Sequence, residues 1–210
     1  MQRRCQGTEM SAPNNDLSRT LIAALSEFTG TFFLALAALS VLPPLTVLAV
    51  ALTLMVFVYT VGDISGCHLN PAVTAGLVAT RQFPLGAGAA YIVAQVAGAM
   101  TARAVVVNDL VGTLGSYEAA SAVQEFIGFG LLMLAVAAVT ENKVTRSGSG
   151  IAVGGALGVG LLTSGGILNP AIAVAMGLPT SAAVWAPLLS GVVFASLFVL
   201  LKKGAPPKAP

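Results

Sequence analysis

Two copies of the tripeptide Asn-Pro-Ala, at residues 70–72 and 169–171, carry side chains suited to hydrogen bonding. Asn has two amide N–H donors and is a good helix N-cap, and Pro is favoured at the first helical position. Each copy therefore predicts a helix start with unpaired backbone N–H groups. The chemistry that these groups offer is hydrogen-bond donation. One such tripeptide is weak evidence, but two copies at a fixed spacing are specific.

Glu27 and Glu125 are acids inside apolar stretches. An acid within a membrane span is a candidate functional site, and a proton relay is one interpretation. The other interpretation is structural: each carboxylate accepts hydrogen bonds from the backbone of the loop that precedes its Asn-Pro-Ala. The symmetric placement of the two acids favours the structural role. Gln95 is interpreted as a similar interior support.

Metal and enzyme chemistry find little support in the remaining residues. His68 is the single histidine, and a metal site would need further ligands. Cys5 and Cys67 make neither a disulfide framework nor a zinc site. No nucleophile–base set is recognisable, so we expect no enzyme activity, no cofactor and no metal.

The composition indicates that lipid is the solvent of this chain. Its 210 residues are 56% hydrophobic and 9% charged, whereas a soluble domain has about 25% charged residues. A soluble chain this poor in charge could not cover its surface. The sequence has no basic cluster with interleaved aromatic residues, so it gives no indication of nucleic-acid binding.

The elements that must position these side chains are helices. A spanning helix needs roughly 20 mostly apolar residues. Two shorter apolar stretches open with the Asn-Pro pairs, at 70–80 and 169–178, and about ten residues span roughly 15 Å, half of the hydrocarbon core. They predict re-entrant half-helices. The six predicted spans are approximately 18–42, 45–62, 84–107, 119–140, 148–163 and 180–201.

An internal repeat relates the two halves of the chain. The two glutamates lie 98 positions apart and the two asparagines 99. Three spans per repeat, an odd number, require the second repeat to be inverted, which is typical of transport proteins with a site near the midplane. The predicted segments are an N-terminal tail 1–17, a first repeat 18–107, an outer linker 108–118, a second repeat 119–201 and a basic C-terminal tail 202–210.

The Lys and Arg residues predict the orientation. With both termini in the cytoplasm, nine of the ten fall on the cytoplasmic side, and Arg103 alone falls on the other. The sequence thus predicts a multi-pass protein of the cell membrane.

The sequence resembles the aquaporin, or major intrinsic protein, family from about residue 21 to residue 201. The resemblance implies an all-α membrane protein with six transmembrane helices and two re-entrant half-helices in two inverted repeats. It also implies a homotetramer. The segments that carry it are 27–33, 64–74, 94–99, Glu125, 165–171 and 185–191.

The resemblance also implies roles for individual residues. Asn70 and Asn169 would donate hydrogen bonds to the passing molecule. Pro71 and Pro170 would stack the two helix starts, and Ala72 and Ala171 would let them approach. His68 is implied to face the cytoplasmic vestibule, and the repeat that matches Cys67 with Gly166 predicts that Cys67 lines the pore.

The chain departs from the family at the outer filter. Relatives usually place an arginine three residues after the second motif's Asn, where this chain has Ile172. Alignment from the two Asn residues gives the other filter positions as Val50, Leu157 and Gly166. An apolar constriction raises the cost of stripping water from a polar solute, and it can gate by dewetting.

The expected function is a passive channel for water or small uncharged solutes that excludes ions and protons. The candidate solutes are water, glycerol-like polyols, metalloid hydroxides, ammonia and peroxide. Two alternatives stay open: an ion-coupled secondary transporter that uses Glu27 or Glu125, and a closed membrane protein with a structural role.

Overall fold

A computed structural model describes residues 15–41, 45–106 and 121–204. Eight α-helices account for most of these residues, and no strand occurs in the described ranges. The helices are α1 (Asn15–Ser40), α2 (Thr46–Ser65), α3 (Pro71–Ala79), α4 (Leu85–Val105), α5 (Ala122–Thr140), α6 (Arg146–Ser164), α7 (Pro170–Ala175) and α8 (Ala182–Gly204).

Six of these helices, all but α3 and α7, are long and apolar enough to cross a membrane. The predicted all-helical fold with six spans is therefore confirmed, and the predicted ends differ from the observed ones by no more than three residues. The differences reflect local backbone geometry. Helix α2, for example, continues to Ser65 because the first left-handed residue is Gly66, with φ of 83°.

The predicted tails and linker fall mostly outside the described residues. The N-terminal tail 1–17 is described only at residues 15–17, the outer linker 108–118 not at all, and the C-terminal tail 202–210 only at residues 202–204. The described tail residues are helical, since they extend α1 and α8.

The half-helices α3 and α7 begin where the Asn-Pro pairs predict. In each, the Asn side chain caps the helix and Pro occupies the first turn. The predicted ends are too late, because α3 stops at Ala79 and α7 at Ala175. Helix α7 is the shorter because Gly177, with φ of 81°, turns the chain soon after Met176 caps it.

The two halves of the chain pack in matching pairs. Helix α1 packs on α4 as α5 packs on α8, and α2 meets α6 across the centre. Each half-helix also lies on the last span of the other half, α3 on α8 and α7 on α4. The α3–α8 contact requires glycine at Gly76, because a Cβ there would lie 2.6 Å from the carbonyl oxygen of Gly191. Because each half-helix packs on the other half of the chain, α3 and α7 come into contact.

The charged residues collect on one face, the Arg146 face, where α1 and α6 begin and α2, α5 and α8 end. Ion pairs join Arg146 to Asp63 and Lys202 to Glu141 on this face. The opposite face, the Ser40 face, carries Arg103 in the last turn of α4. The spans between the two faces expose apolar side chains, such as Leu25, Leu162 and Leu200, to their surroundings.

Candidate pore and its lining

A narrow cavity lies inside the helix bundle, beside the starts of α3 and α7. The volume that the centre of a water molecule can occupy in it is about 10 Å³. This is roughly the smallest volume that holds one water molecule. Its polar lining residues are His68, Asn70 and Asn169. The others are apolar: Leu34, Val50, Leu54, Val73, Leu132, Val136, Val153, Leu157, Ile167 and Ile172.

The two asparagines tie the half-helix starts to each other. Asn70 Oδ1 accepts from the Ala72 N–H at 2.9 Å, and Asn70 Nδ2 donates to the Leu168 carbonyl at 2.8 Å. Asn169 repeats the pattern with Ala171 N at 3.0 Å and the Leu69 carbonyl at 3.0 Å. Each amide nitrogen carries two hydrogens, so each asparagine keeps one further N–H at the cavity wall.

Glu27 holds the loop that precedes α3. The side chain is fully buried, and Oε1 accepts from the His68 N–H at 2.9 Å and from Ser65 Oγ at 2.7 Å. Oε2 accepts from the Leu69 N–H at 2.6 Å and from Gln95 Nε2 at 2.7 Å. With these four hydrogen bonds, the carboxylate of Glu27 stabilises the loop that precedes α3.

Glu125 holds the second loop in the corresponding way. Its Oε1 accepts from the Ile167 N–H at 2.8 Å and its Oε2 from the Leu168 N–H at 2.9 Å. The backbone N–H of Leu69 donates to Glu27 and that of Leu168 to Glu125, and these two leucines have φ of 48° and 58°. Left-handed backbone is costly for a branched residue, so the carboxylate bonds stabilise a conformation that these loops would otherwise avoid.

Gln95 connects the first loop to α3 in addition to supporting Glu27. Its Nε2 donates to Thr74 Oγ1 at 3.0 Å as well as to Glu27. Both side chains are fully buried. The structure thus places Gln95 as an interior support of the loop.

His68 lies between the narrow cavity and a wider vestibule on the Arg146 face. The vestibule offers about 530 Å³ to the centre of a water-sized sphere, and its lining includes Asp63, Gln82 and Arg146. The His68 ring packs edge-on against Phe83 and Tyr91, with centroids 4.7 and 5.2 Å apart. His68 lines both spaces, so it marks the point where the vestibule narrows.

The structure brings three of the four filter positions to the cavity. Val50, Leu157 and Ile172 line it from α2, α6 and α7. Gly166 is not among the residues that line this cavity, and a Cβ built on it would lie 2.9 Å from the Glu125 carboxyl carbon. A side chain at this position would therefore meet Glu125, and the filter role of Gly166 stays a prediction.

Cys67 is the counterpart of Gly166, and its pore-lining role also stays a prediction. It is 4% exposed, its φ is 52°, and its backbone N–H donates to Ser65 Oγ at 3.0 Å. It packs with the apolar core. It is not among the described residues that line the narrow cavity or the vestibule.

Reaction with a mercurial should distinguish Ile167, a residue that lines the cavity, from Cys67. We expect a membrane-permeant mercurial to block Ile167→Cys, made in a chain with Cys5→Ser and Cys67→Ser, because Ile167 lines the cavity. Native Cys67, tested with Cys5→Ser alone, should react at least about tenfold more slowly, the effect of ~1.4 kcal/mol of added barrier. Equally fast block through Cys67 would return this residue to the pore wall.

The cavity also contains apolar residues that the sequence did not single out. Leu54 lies four residues after Val50, and Val153 lies four residues before Leu157. Residues four apart share a helix face, so stepping one turn from each filter position would have found both. No comparable starting point existed on α5, where Leu132 and Val136 line the cavity.

Comparison with known proteins shows which family the chain belongs to. The sequence profile described as Major intrinsic protein matches residues 14–199. The chain belongs to this family. Members of the major intrinsic protein family are passive channels for water and small solutes rather than enzymes, and the chain is a membrane channel of this kind. Among the described residues, no group of three His, Cys, Asp or Glu could hold a metal ion.

Individual relatives agree with this assignment. Aquaporin NIP1-4 of Oryza sativa subsp. japonica is 36% identical over 191 residues, covering 79% of this chain and 70% of the relative. Aquaporin NIP3-1 of Arabidopsis thaliana is 32% identical over 195 residues, covering 75% and 60%. The X-ray structure of the aquaglyceroporin from Plasmodium falciparum superposes with a TM-score of 0.66 at 21% identity, covering 89% of this chain and 96% of that one, and it shows the shared fold.

Proposed function

We propose that the chain forms an uncoupled pore for water and small uncharged solutes, and that this pore rejects ions and protons. The observation that carries the proposal is the meeting of two half-helix starts at one narrow cavity, with Asn70 and Asn169 in its wall. Each of them keeps an amide N–H for a passing solute. A neutral molecule that accepts hydrogen bonds can use these donors.

Ion rejection follows from the electrostatics of the same two helix ends. Each N-terminus carries roughly half a positive charge from the helix dipole. Both ends point to one low-dielectric cavity, so a cation or hydrated proton is opposed there. The ring of Val50, Leu157 and Ile172 adds a second barrier, because it offers an ion nothing to replace its hydration.

The solute class follows from that apolar ring. Without an arginine or a histidine at these positions, the ring offers no charge, so it favours uncharged solutes over ions. Water, glycerol-like polyols, ammonia, peroxide and undissociated metalloid hydroxides are the candidates. A swelling assay on proteoliposomes with a panel of these solutes tests the proposal, and faster flux than in protein-free vesicles for at least one solute is the expected result.

The proposed setting is a homotetramer in the cell membrane, with one pore in each protomer and both termini in the cytoplasm. Family membership supports the tetramer. The orientation rests on Arg81, Lys143, Arg146, Lys202 and Lys203, which lie at the ends of helices on the Arg146 face. Protease access to a C-terminal tag from the outside of intact cells tests this orientation, and we expect protection.

The transporter alternative predicts dependence on an ion gradient. We expect solute flux at a fixed solute gradient to be unchanged when a proton or sodium gradient is collapsed. The reason is that Glu27 and Glu125 are fully buried and bind their own loops. Flux measured in vesicles with and without ionophores checks this, and flux that stops on collapse would favour the coupled transporter.

The narrowness of the cavity keeps the closed structural protein as a second candidate. A space of about 10 Å³ for the centre of a water-sized sphere is at the lower limit for one water molecule. If a folded, reconstituted protein moves no solute of the panel, the structural role is favoured.

A further inference from the structure

We propose that Thr74 sets the tautomer of His68, so that the ring carries its proton on Nδ1 and presents a lone pair on Nε2 to the pore. Thr74 is then a positioning residue, because it orients the contact between His68 Nε2 and a molecule in the pore. The consequence for transport rests on the proposed pore function. The tautomer itself follows from the hydrogen-bonding capacity of four buried side chains.

The first step is the orientation of Gln95, which Glu27 determines. Gln95 Nε2 lies 2.7 Å from Glu27 Oε2. A carboxylate oxygen accepts and cannot donate, so the amide nitrogen, and not the amide oxygen, must face it. The second hydrogen of the same nitrogen points to Thr74 Oγ1, 3.0 Å away. Thr74 Oγ1 therefore accepts a hydrogen bond from Gln95.

The second step counts what the Thr74 hydroxyl has left. A hydroxyl has one hydrogen and two lone pairs, and Gln95 uses one lone pair. Thr74 Oγ1 has two further neighbours: the Asn70 carbonyl oxygen at 3.2 Å and His68 Nδ1 at 3.1 Å. The carbonyl only accepts, so the hydroxyl must donate to it. The remaining lone pair is then free for a donor on His68.

All three contacts of Thr74 are hydrogen bonds only when His68 Nδ1 carries the proton. With the proton on Nε2, the hydroxyl would turn to Nδ1. Thr74 Oγ1 and the Asn70 carbonyl would then face each other as two acceptors. Both Thr74 and His68 are buried, at 0% and 6% exposure, so such a mismatch is costly.

The third step places Nε2 on the pore side. His68 lines both the narrow cavity and the vestibule, while its Nδ1 points away to Thr74. Among the described residues, none forms a hydrogen bond with Nε2, and a Cβ built on Gly66 would lie 3.4 Å from it. A molecule in the pore is thus the natural partner of this nitrogen.

An acceptor at this point agrees with the field of the half-helices. Their N-termini attract the oxygen of a water molecule, so its hydrogens point away from the asparagines. A molecule on the His68 side then offers hydrogens to Nε2, which accepts them. A donor at Nε2 would oppose that orientation. The second half of the chain has Ile167 and Ala173 where the first has His68 and Thr74, so this contact exists on one side of the midplane.

Nitrogen NMR tests the proposal without measuring transport. The chain has a single histidine, so ¹⁵N-histidine labelling of the full protein in lipid gives one ring. We expect a protonated, pyrrole-type resonance for Nδ1 and an unprotonated, pyridine-type resonance for Nε2 at neutral pH. A proton on Nε2, or on both nitrogens, in the wild-type protein overturns the proposal.

Variants of Thr74 provide the second arm. Thr74→Val removes the acceptor, and the tautomer ratio should shift toward the Nε2–H form by at least about tenfold, because a buried N–H without a partner is unfavourable. Thr74→Ser keeps the hydroxyl and should keep the wild-type spectrum. Thr101→Val is the matched control, since the Thr101 hydroxyl bonds only the Ala97 carbonyl on the exposed side of α4.

The outcomes separate this proposal from the proposed function. An Nδ1–H ring that persists unchanged in folded Thr74→Val shows that Thr74 does not set the tautomer. If Thr74→Val does not fold, the wild-type and Thr74→Ser spectra still decide. A protein that shows the expected spectra but moves no solute would defeat the proposed pore and leave the role of Thr74 standing.

Discussion

Asn70→Asp and Asn169→Asp should each remove at least about nine-tenths of the solute flux, largely by destabilising the fold. The carboxylate keeps the helix cap but loses the amide N–H that reaches the opposite loop, at 2.8 Å for Asn70 and 3.0 Å for Asn169. An acceptor then faces a carbonyl oxygen. An unpaired buried charge costs about 3–5 kcal/mol, whereas a helix N-terminus returns at most about 2 kcal/mol.

The aspartate variants that do fold should admit cations. A negative charge at the midplane offsets the positive helix ends that we propose as the ion barrier. The measurements are folded yield, thermal stability, solute flux and ion conductance at matched protein density. Asn142→Asp, in the exposed wall of the vestibule, is the matched control and should behave as wild type. Folded variants at 70 and 169 with normal flux and no conductance would show that the half-helix ends are not the barrier.

Ile172→Arg should raise the water-to-glycerol permeability ratio by at least about tenfold, which corresponds to ~1.4 kcal/mol of discrimination. Ile172 is 3% exposed and lines the cavity beside Val50 and Leu157. The longer side chain narrows this ring against glycerol, and its five N–H donors replace hydration that water loses there.

The cost of the arginine is desolvation, about 2.5–3.5 kcal/mol for a charge at the centre of a spanning helix. A water-filled cavity and nearby carbonyls reduce this cost. Ile172→Met is the control, since it lengthens the side chain without adding charge or donors. It should lower glycerol flux without favouring water. An unchanged or lower ratio in a folded Ile172→Arg tetramer would place residue 172 outside the constriction.

The sequence was enough to predict the membrane architecture. Long apolar stretches predict spanning helices because lipid leaves backbone groups no partner outside a helix, and all six were confirmed. The Asn-Pro pairs predicted the starts of α3 and α7, because capping is a local interaction. Their ends were predicted less well. The end of α7 depends on the turn at Gly177, and apolar content alone does not indicate such a turn.

Local sequence also favoured the structural role of the glutamates over a proton relay, and the loop hydrogen bonds of Glu27 and Glu125 agree with it. The partners on other helices were harder to predict. Gln95 was expected to support the interior, but its bond to Thr74 depends on how α3 and α4 meet. That contact is set by packing between helices, for which a single sequence gives no register.

The sequence by itself determined the solvent, the spans, the repeat and the residue types that meet at the midplane, because hydropathy, capping and spacing are properties of neighbouring residues. Only the tertiary structure decided which of those residues face the cavity. Cys67 and Gly166 precede their asparagines by the same three positions, yet neither is among the residues that line the narrow cavity. Glu27 and Glu125 bind the backbones of the two loops, in which Leu69 and Leu168 are left-handed. The direction of a side chain there depends on hydrogen bonds to residues about 40 positions away, and local sequence does not reveal it.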